Sequence, residues 1–343
     1  MRMRLFMILA FVLIVSSPAQ GRTINILVWA EAFPDWVFNE FTRETGIKTN
    51  VSFFSSEDML YQRLSQFPDN FDLVACSPSY VFQQLLQEGL VRELQRESFL
   101  HWNSLNPQIK SNVLDPEWKY MLPYMWGSLL LAVNPEQADP ELVSGYSDLW
   151  RPELQGRILL PDELRSIFSF TLLTLGFSPN DQDQEHGQQV MNKLILLLNN
   201  NTVISTNYML DLIEGRVAAA VSWNGSILEA VQANPKLRVI EPEEGNILWF
   251  DGFFIPAQAR NPADAYAFLN YIFKPEICAR LTQDTFYATT NLEAQALLPD
   301  AIAQNRLIYP GPEEMQRATM EDPMPRLLDG ENKLWSRLRS YSR

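Results

Sequence analysis

The regular alternation of apolar and amphipathic segments in the first part of the chain constrains the fold most strongly. The strand-like runs there are residues 24–29, 49–53 and 71–75. Pro34, Ser56 and Ser79 each begin an amphipathic stretch with helical spacing, and Gly46 ends the first of these stretches. A strand followed by a helix, repeated at this spacing, predicts an α/β fold with a mostly parallel sheet flanked by helices.

A second unit of the same kind follows, and the chain is too long for one small core. Its strand-like runs are residues 128–133, 158–160, 217–221 and 247–255, with helical patterns around Phe168 and over 191–198. We therefore expect two lobes joined by a hinge, with crossovers near Gly127 and Asp251. The predicted division is a signal peptide at 1–21, one lobe of 22–126 plus 252–295, and a second lobe of 127–251 plus 296–343.

The first residues have the pattern of a secretory signal peptide. Arg2 and Arg4 precede an apolar run over 5–15, and small residues around Ser17 and Ala19 follow. The apolar run is shorter than a membrane-spanning helix needs, which disfavours the alternative of a membrane anchor. We expect export to the periplasm and cleavage of the peptide. The chain has two cysteines, Cys76 and Cys278, and the sequence leaves open whether they pair in that oxidising compartment.

The charge balance bears on the class of partner. The full chain has 27 basic and 41 acidic residues and a net charge of −14, and loss of Arg2 and Arg4 makes the mature protein more negative still. Such a surface disfavours nucleic acid and favours the approach of cations, although it also serves solubility.

Motifs for catalysis or for a cofactor are scarce. His101 and His186 are far apart and belong to no metal-ligand spacing, and the sequence has no nucleophile elbow, phosphate-binding glycine loop or Cys-x-x-Cys. Asp162 and Glu163 could form half of a glycosidase carboxylate pair, but no supporting motif accompanies them. We therefore expect a non-enzymatic protein with no metal and no cofactor, and a carboxylate-pair hydrolase is the least favoured alternative.

Aromatic and acidic side chains recur where the predicted strands end. Ligands of open parallel sheets bind beyond the carboxyl ends of the strands. The residues in question are Trp29 and Glu31, Ser77 and Ser79, Asp162 and Glu163, and Trp223 and Asn224. Trp249 and Asp251 add to them from within the strand near the second predicted crossover. An aliphatic amine needs a carboxylate for its buried charge and an apolar wall for its methylene stem, and tryptophan faces attract cations. The pattern favours a cleft for an organic cation, although each tryptophan could instead fill the core of its lobe.

Several longer motifs carry a family resemblance over essentially all of the mature chain. They are WAE (29–31), FTRETGIK (41–48), DLV (72–74), PYMWG (123–127), DLWRPE (148–153), WNGS (223–226), WFD (249–251) and YATTN (287–291). Together they resemble the periplasmic spermidine/putrescine-binding proteins of bacterial ABC importers. The resemblance implies a two-lobed, type II periplasmic binding protein fold, a polyamine or related cation as ligand, and a membrane permease as partner of a monomeric receptor.

The resemblance also implies roles for individual residues. Tryptophans at three positions would enclose the ligand stem, Asp251 would pair with an inner amine, and Glu163 would pair with an amine near one end. Smaller or polar residues would complete the rim, and one glutamate aligns near a family glutamine. The tryptophans are Trp29, Trp223 and Trp249, the rim residues are Glu31, Ser77, Ser205 and Tyr287, and the last glutamate is Glu321.

The chain departs from the family pattern at three positions. Ala32 and Ser79 stand where the family tends to place aromatic residues, and Ser166 stands where spermidine binders carry a second acid. These changes leave the length of the polyamine open. A receptor or sensor of the same fold for another solute is the main alternative, but an anion receptor would need cleft arginines, and Arg165 is the one candidate.

We expect the exported protein to begin between Gln20 and Thr23, because the small residues before these positions suit signal peptidase. Mass spectrometry of a periplasmic extract measures this N-terminus directly. Recovery of intact Met1 in the membrane fraction would contradict the prediction.

Overall fold

The computed structural model describes residues 21–30, 32–110, 114–161, 163–198, 203–205 and 208–323. Its strands are β1 (Thr23–Trp29), β2 (Lys48–Phe54), β3 (Leu73–Cys76), β4 (Leu122–Val133), β5 (Ile158–Pro161), β6 (Val203–Ser205), β7 (Ala219–Trp223), β8 (Arg238–Ile240), β9 (Asn246–Phe254), β10 (Ala288–Thr289) and β11 (Ala318–Met320). Its α-helices are α1 (Asp35–Thr45), α2 (Glu57–Gln66), α3 (Tyr80–Gln87), α4 (Leu164–Leu173), α5 (Gln184–Leu198), α6 (Tyr208–Ile213), α7 (Asn224–Ala233), α8 (Pro262–Ile272), α9 (Pro275–Thr285), α10 (Leu292–Gln295), α11 (Asp300–Ala303) and α12 (Pro312–Gln316). Short 3-10 helices are Arg96–Ser98, Trp102–Ser104, Pro140–Leu142, Tyr146–Trp150 and Pro152–Leu154.

The strands form a mixed sheet in the order β2-β1-β3-β9-β4-β7-β5-β6, which confirms the predicted α/β class. At one end β1 pairs in parallel with β2 and β3, and at the other end β5 pairs in parallel with β6 and β7. Between these two parallel groups, β4 and β9 run antiparallel to each other. The end of β9 pairs with β3, whereas the end of β4 pairs with β7. These two long strands therefore connect the two halves of the sheet.

Each half of the sheet is buried on both faces. Ile26 belongs to one core of the first half, whereas the next residue, Leu27, belongs to the core on the opposite face. In the second half, Leu129 and Leu130 divide between two further cores in the same way. Successive strand residues point to opposite faces, so a continuous apolar run is what a sheet covered on both sides requires.

The predicted ends of the early helices are confirmed. Gly46 ends α1 in the left-handed conformation, with φ of 72°. Ser56 caps α2 by accepting a hydrogen bond from the Met59 amide at 3.3 Å, and Ser79 caps α3 by accepting one from the Val81 amide at 3.2 Å.

The sequence separated the stretch 123–127 from the following strand, and the structure joins them into the single strand β4. Its pairing with β9 shifts register between Pro123 and Met125. Proline has no amide hydrogen for the ladder, and the irregularity accommodates it. Strand β11, which pairs in parallel with the start of β9, was not predicted.

The sequence predicted a signal peptide and left open whether the two cysteines pair. The predicted signal peptide falls on residues of which all but Gly21 lie outside the described part of the chain. None of the helices that the structure describes is long and apolar enough to cross a bilayer. Cys76 and Cys278, whose pairing the sequence left open, are both buried free thiols.

Gly127 lies where β4 pairs with β9, opposite Trp249, and the packing there leaves no room for a side chain. A Cβ at this position would lie 2.2 Å from Asn224 Oδ1 and 2.9 Å from Trp249 Cζ2. We expect Gly127→Ala to lower the free energy of unfolding by about 1–3 kcal/mol, the usual cost of overpacking, as measured by urea denaturation.

Gly187→Ala in α5 is the matched control. Its new Cβ would meet Phe168 Cζ at 3.8 Å, an ordinary contact, and alanine favours the helix by about 0.5–1 kcal/mol. If Gly127→Ala proved as stable as the wild type, the described packing of Gly127 against Asn224 and Trp249 would be wrong.

Candidate functional site

A buried carboxylate lies where the two halves of the sheet meet. Asp251 is on β9, and Ser77 directly follows β3, whose last residue Cys76 pairs with Gly252. This register brings the Ser77 hydroxyl to Asp251, to which it donates a hydrogen bond of 2.6 Å. The Asp251 side chain is almost fully buried, and burial raises its pKa to about 6 even though the Ser77 hydrogen bond acts in the opposite direction.

An aromatic pair lies beside this carboxylate. Trp249 is two residues before Asp251 on β9, so both side chains project from the same face of the strand. The Trp249 ring meets the Tyr287 ring edge to face, with centroids 5.0 Å apart. The indole Nε1 of Trp249 is buried and has no hydrogen-bond partner among the residues that the structure describes. The site therefore combines an apolar surface with an unpaired donor.

One glycine and one asparagine hold the aromatic pair in place. A Cβ at Gly225 would lie 2.5 Å from the Tyr287 ring, so only glycine allows this approach. Asn224 is fully buried, accepts a hydrogen bond from the Ser128 amide at 3.1 Å, and donates one to the Phe286 carbonyl at 2.9 Å. Asn224 thus ties β4 to the segment that carries Tyr287.

The other two predicted tryptophans are at the carboxyl ends of parallel strands, as the sequence indicated. Trp29 ends β1 and packs against Phe54 with ring centroids 4.2 Å apart. Trp223 ends β7 and packs partly against the core of the second half. Both rings are half-buried, so each contributes to its own core while keeping part of its surface exposed.

Glu163 caps α4. One of its carboxylate oxygens accepts a hydrogen bond from the Arg165 amide and the other accepts one from the Ser166 amide, both at 2.9 Å. Burial raises the pKa of Glu163, and the negative charge of Glu321 raises it further. Ser166, at which the sequence indicated a departure from the family pattern, is buried and belongs to this cap.

Glu321 follows β11 and faces the same helix. It accepts a hydrogen bond of 2.5 Å from the Ser169 hydroxyl, and its carboxylate is 3.8 Å from Arg165 Nη1. The Arg165 guanidinium also donates to the Pro179 carbonyl, to Asn180 Oδ1 and to the Asp322 carbonyl. Protein groups therefore occupy the one arginine that the sequence offered as an anion ligand.

Three residues that the sequence singled out receive no side-chain placement. Glu31 and Asp162 lie outside the described residues. Ser205 ends β6 and its backbone pairs with Pro161, but the structure describes nothing of its side chain.

The structure adds one acid that sequence reasoning missed. Glu57 is the first residue of α2, and burial raises its pKa to about 8, with further increases from the negative charges of Glu163 and Asp251. A glutamate in the first turn of a helix is so common a helix-stabilising feature that it gave no functional signal. The influence of Glu163 and Asp251 on this carboxyl group is visible only in the folded chain.

Arg165 is the positive group next to Glu163, but no positive charge is among the causes that shift the pKa of Glu57 or of Asp251. The charges that shift the pKa of Glu57 are all negative in the described structure, and no charged group is among the causes of the Asp251 shift. Among the described residues, no three His, Cys, Asp or Glu side chains have the arrangement of a metal site. Buried carboxylates with an adjacent aromatic surface can hold a hydrogen-bonding organic cation.

The chain is similar in sequence to known proteins of one family. Residues 36–309 match the model of the bacterial extracellular solute-binding protein family. The spermidine/putrescine-binding periplasmic protein of Escherichia coli K12 is 32% identical over 304 residues, which cover 88% of this chain and 87% of that protein. The putrescine-binding periplasmic protein PotF of the same bacterium is 28% identical, over 94% of this chain and 92% of its own.

A solved structure extends the match to three dimensions. The spermidine/putrescine ABC transporter substrate-binding protein PotD from Streptococcus pneumoniae aligns with a TM-score of 0.80 and 27% identity, over 94% of this chain and 100% of that one. The predicted resemblance and the two-lobed binding-protein fold are both confirmed by these matches.

The raised pKa of Asp251 predicts a pH-dependent stability of the ligand-free protein. Folded Asp251 keeps its proton to about pH 6, whereas its ordinary pKa is 3.8. Its contribution to stability is therefore complete below the ordinary pKa and is lost as the pH rises through about 6. We expect the melting temperature of Asp251→Asn, relative to the wild type, to be higher at pH 8 than at pH 5.

Differential scanning calorimetry at the two pH values measures this difference. Glu229→Gln, on an exposed face of α7, is the control and should show no such change. An Asp251→Asn effect of equal size at both pH values would show that Asp251 is not a buried, destabilising charge.

Proposed function

The chain belongs to the family of bacterial extracellular solute-binding proteins, and from this premise we propose that it captures a polyamine or a related organic cation. The ligand would be of the putrescine or spermidine type, and the protein would deliver it to the membrane permease of an ABC importer. The mature protein would be a monomer in the periplasm, released from a cleaved signal peptide, without a cofactor and without enzymatic activity.

One observation carries the proposal: Asp251 is buried beside an aromatic surface, and no charge of the described residues compensates it. A buried carboxylate without a counter-ion destabilises the protein that contains it. An ammonium group of a ligand would supply that counter-ion. The methylene chain on either side of the ammonium would pack on Trp249 and Tyr287.

The other predicted contacts would surround Asp251 and the ammonium group of the ligand. Trp29 and Trp223, at the ends of β1 and β7, would enclose the stem from the two halves of the sheet, and Glu163 would receive a terminal amine. Ser77 would act mainly through Asp251, to which it already donates. Glu31, Ser205 and Glu321 would complete the polar rim.

Binding would involve a hinge. One lobe would comprise residues 22–126 plus 252–295, and the other would comprise residues 127–251 plus 296–343. The chain would pass between the lobes along β4 and again along β9. A small rotation about the point where β4 and β9 pass between the lobes would close the lobes on the ligand, as in other hinged receptors.

The local contacts disfavour other ligands and activities. Capture of an anion would need a free arginine, and Arg165 already donates to four protein groups. A glycosidase would need two carboxyl groups on either side of the bond to be cut, and no catalytic motif accompanies Asp162 and Glu163 in the sequence.

We expect the wild type to bind putrescine or spermidine saturably in calorimetric titration, and not to bind sulfate or maltose. Asp251→Asn keeps the shape of the side chain but leaves the ammonium without its charge partner. The affinity should fall by about 30-fold to several thousand-fold, the equivalent of about 2–5 kcal/mol.

Glu229→Gln, which removes an exposed acid from α7, should bind within about threefold of the wild type (less than about 1 kcal/mol). The proposal fails if the wild type binds an anion or a sugar and no amine. The role proposed for Asp251 is wrong if Asp251→Asn binds the amine as tightly as Glu229→Gln does.

A further inference from the structure

We propose that Arg165 limits the number of amino groups that the ligand can place at one end of the candidate site. Its guanidinium is an internal counter-ion for Glu321, and it takes the place that an ammonium group of the ligand would otherwise occupy. The site would then prefer a diamine over a triamine. This inference rests on the proposed function and specifies the ligand further.

The backbone of Glu321 lies beside the strand that carries Trp249 and Asp251. Strand β11 pairs in parallel with the start of β9, and Glu321 directly follows β11. The Glu321 amide donates a hydrogen bond of 2.8 Å to the carbonyl of Leu248, the residue that precedes Trp249 on β9. The pairing of β11 with β9 therefore places Glu321 next to the centre of the candidate site.

The side chain of Glu321 contacts helix α4, whose start is capped by Glu163. The Ser169 hydroxyl on α4 donates a hydrogen bond of 2.5 Å to Glu321. Arg165 lies one helical turn before Ser169, and its amide donates a hydrogen bond of 2.9 Å to Glu163. Its guanidinium, 3.8 Å from the Glu321 carboxylate, donates to the same Ser169 hydroxyl. Arg165 thus contacts Glu163 through its backbone and Glu321 through its side chain.

The guanidinium of Arg165 is fixed in this position by several protein acceptors. They are the Ser169 hydroxyl, the Pro179 carbonyl at 3.0 Å, Asn180 Oδ1 at 2.8 Å and the Asp322 carbonyl at 3.0 Å. The side chains of Arg165 and Glu321 are 21% and 13% exposed, so water and salt screen their attraction less than that of a surface pair. Glu321 therefore has a cationic partner without any ligand.

The donors to the other two acids of the candidate site are neutral. Asp251 accepts a hydrogen bond from the Ser77 hydroxyl, and Glu163 accepts two from main-chain amides. A ligand with two ammonium groups can supply one positive charge to each of these carboxylates. A third ammonium group at this end of the site would have to compete with Arg165 for Glu321.

Arg165 could instead serve only to hold the segment after β11. Asn180 holds the same segment, since it donates a hydrogen bond of 2.9 Å to the Met320 carbonyl and accepts one of 2.9 Å from the Asp322 amide. The two roles predict opposite effects when the guanidinium is removed. Loosening of the segment weakens the binding of every amine, whereas release of Glu321 strengthens the binding of an amine that can reach it.

Calorimetric titrations with putrescine and with spermidine separate these two roles. We expect the wild type to bind putrescine more tightly than spermidine. Arg165→Gln should bind spermidine at least about fivefold more tightly than the wild type does, the equivalent of about 1 kcal/mol, because the third ammonium group can then pair with Glu321. Its affinity for putrescine should stay within about threefold of the wild type (less than about 1 kcal/mol).

The double variant Arg165→Gln/Glu321→Gln tests whether the gain comes from Glu321. It has neither charge, so it should lose the gain in spermidine affinity that Arg165→Gln shows. A gain that persists in the double variant would not come from Glu321 and would contradict the inference.

Two further variants control the interpretation. Asn180→Ala removes the bonds to Met320 and Asp322 but leaves both charges, so it should not reproduce the gain. Glu321→Gln provides the test if Arg165→Gln does not fold. It leaves the guanidinium without its counter-ion, and repulsion should weaken putrescine and spermidine to a similar extent. A loss confined to spermidine, or no loss at all, would show that Arg165 does not compensate Glu321.

The outcomes distinguish this inference from the proposed function. If the wild type binds amines but Arg165→Gln binds spermidine no more tightly, or if the wild type prefers spermidine to putrescine, Arg165 does not limit the ligand and the proposed function stands. If the wild type binds no amine at all, the proposed function fails and this inference fails with it.

Discussion

The antiparallel pairing of β4 with β9 is the contact on which the other features of the molecule depend. These strands join the two parallel halves of the sheet, and their register places Gly127 opposite Trp249 and Met125 opposite Asp251. Strand β10 adds to the same ladder beside Trp126, which positions Tyr287 just before it. The residues proposed to hold the ligand therefore occupy the part of the sheet about which the two lobes would move, so binding and closure would act on the same strands.

Electrostatics gives this arrangement its chemical character. Burial raises the pKa of Asp251, Glu57 and Glu163, so each carboxylate is less favourable when ionised in the ligand-free protein. A scaffold that only needed stability would not retain such groups, whereas a receptor can recover the unfavourable energy when a cation binds. By contrast, Asp148 has a base as partner, because Arg151 Nε lies 2.6 Å from its carboxylate.

Much of the site could be predicted because its residues lie at the ends of strands. Trp29 and Trp223 were identifiable because they end strands, since the carboxyl ends of parallel strands meet at one edge of a sheet. The Trp249–Asp251 pair lies within β9 and was identifiable from its two-residue spacing, which puts both side chains on one face. The roles of Glu163 and Arg165 were less accessible. A helix cap and a guanidinium bound by protein groups are recognised by their hydrogen bonds, and these involve Ser166, Asn180 and the segment after β11, which are distant from each other in the sequence.

The sequence by itself determined the α/β class, the capped helices, the family and the aromatic and acidic residues of the candidate site, because each depends on local periodicity or on a short motif. Only the tertiary structure decided which acids share a neighbourhood. Glu57 in a helical turn looks like any other acid that favours a helix start. Its raised pKa arises from burial and from Glu163 and Asp251, which are more than a hundred residues away along the chain. Solvation and charge–charge energies depend on distances in space, and no local pattern of residues encodes those distances.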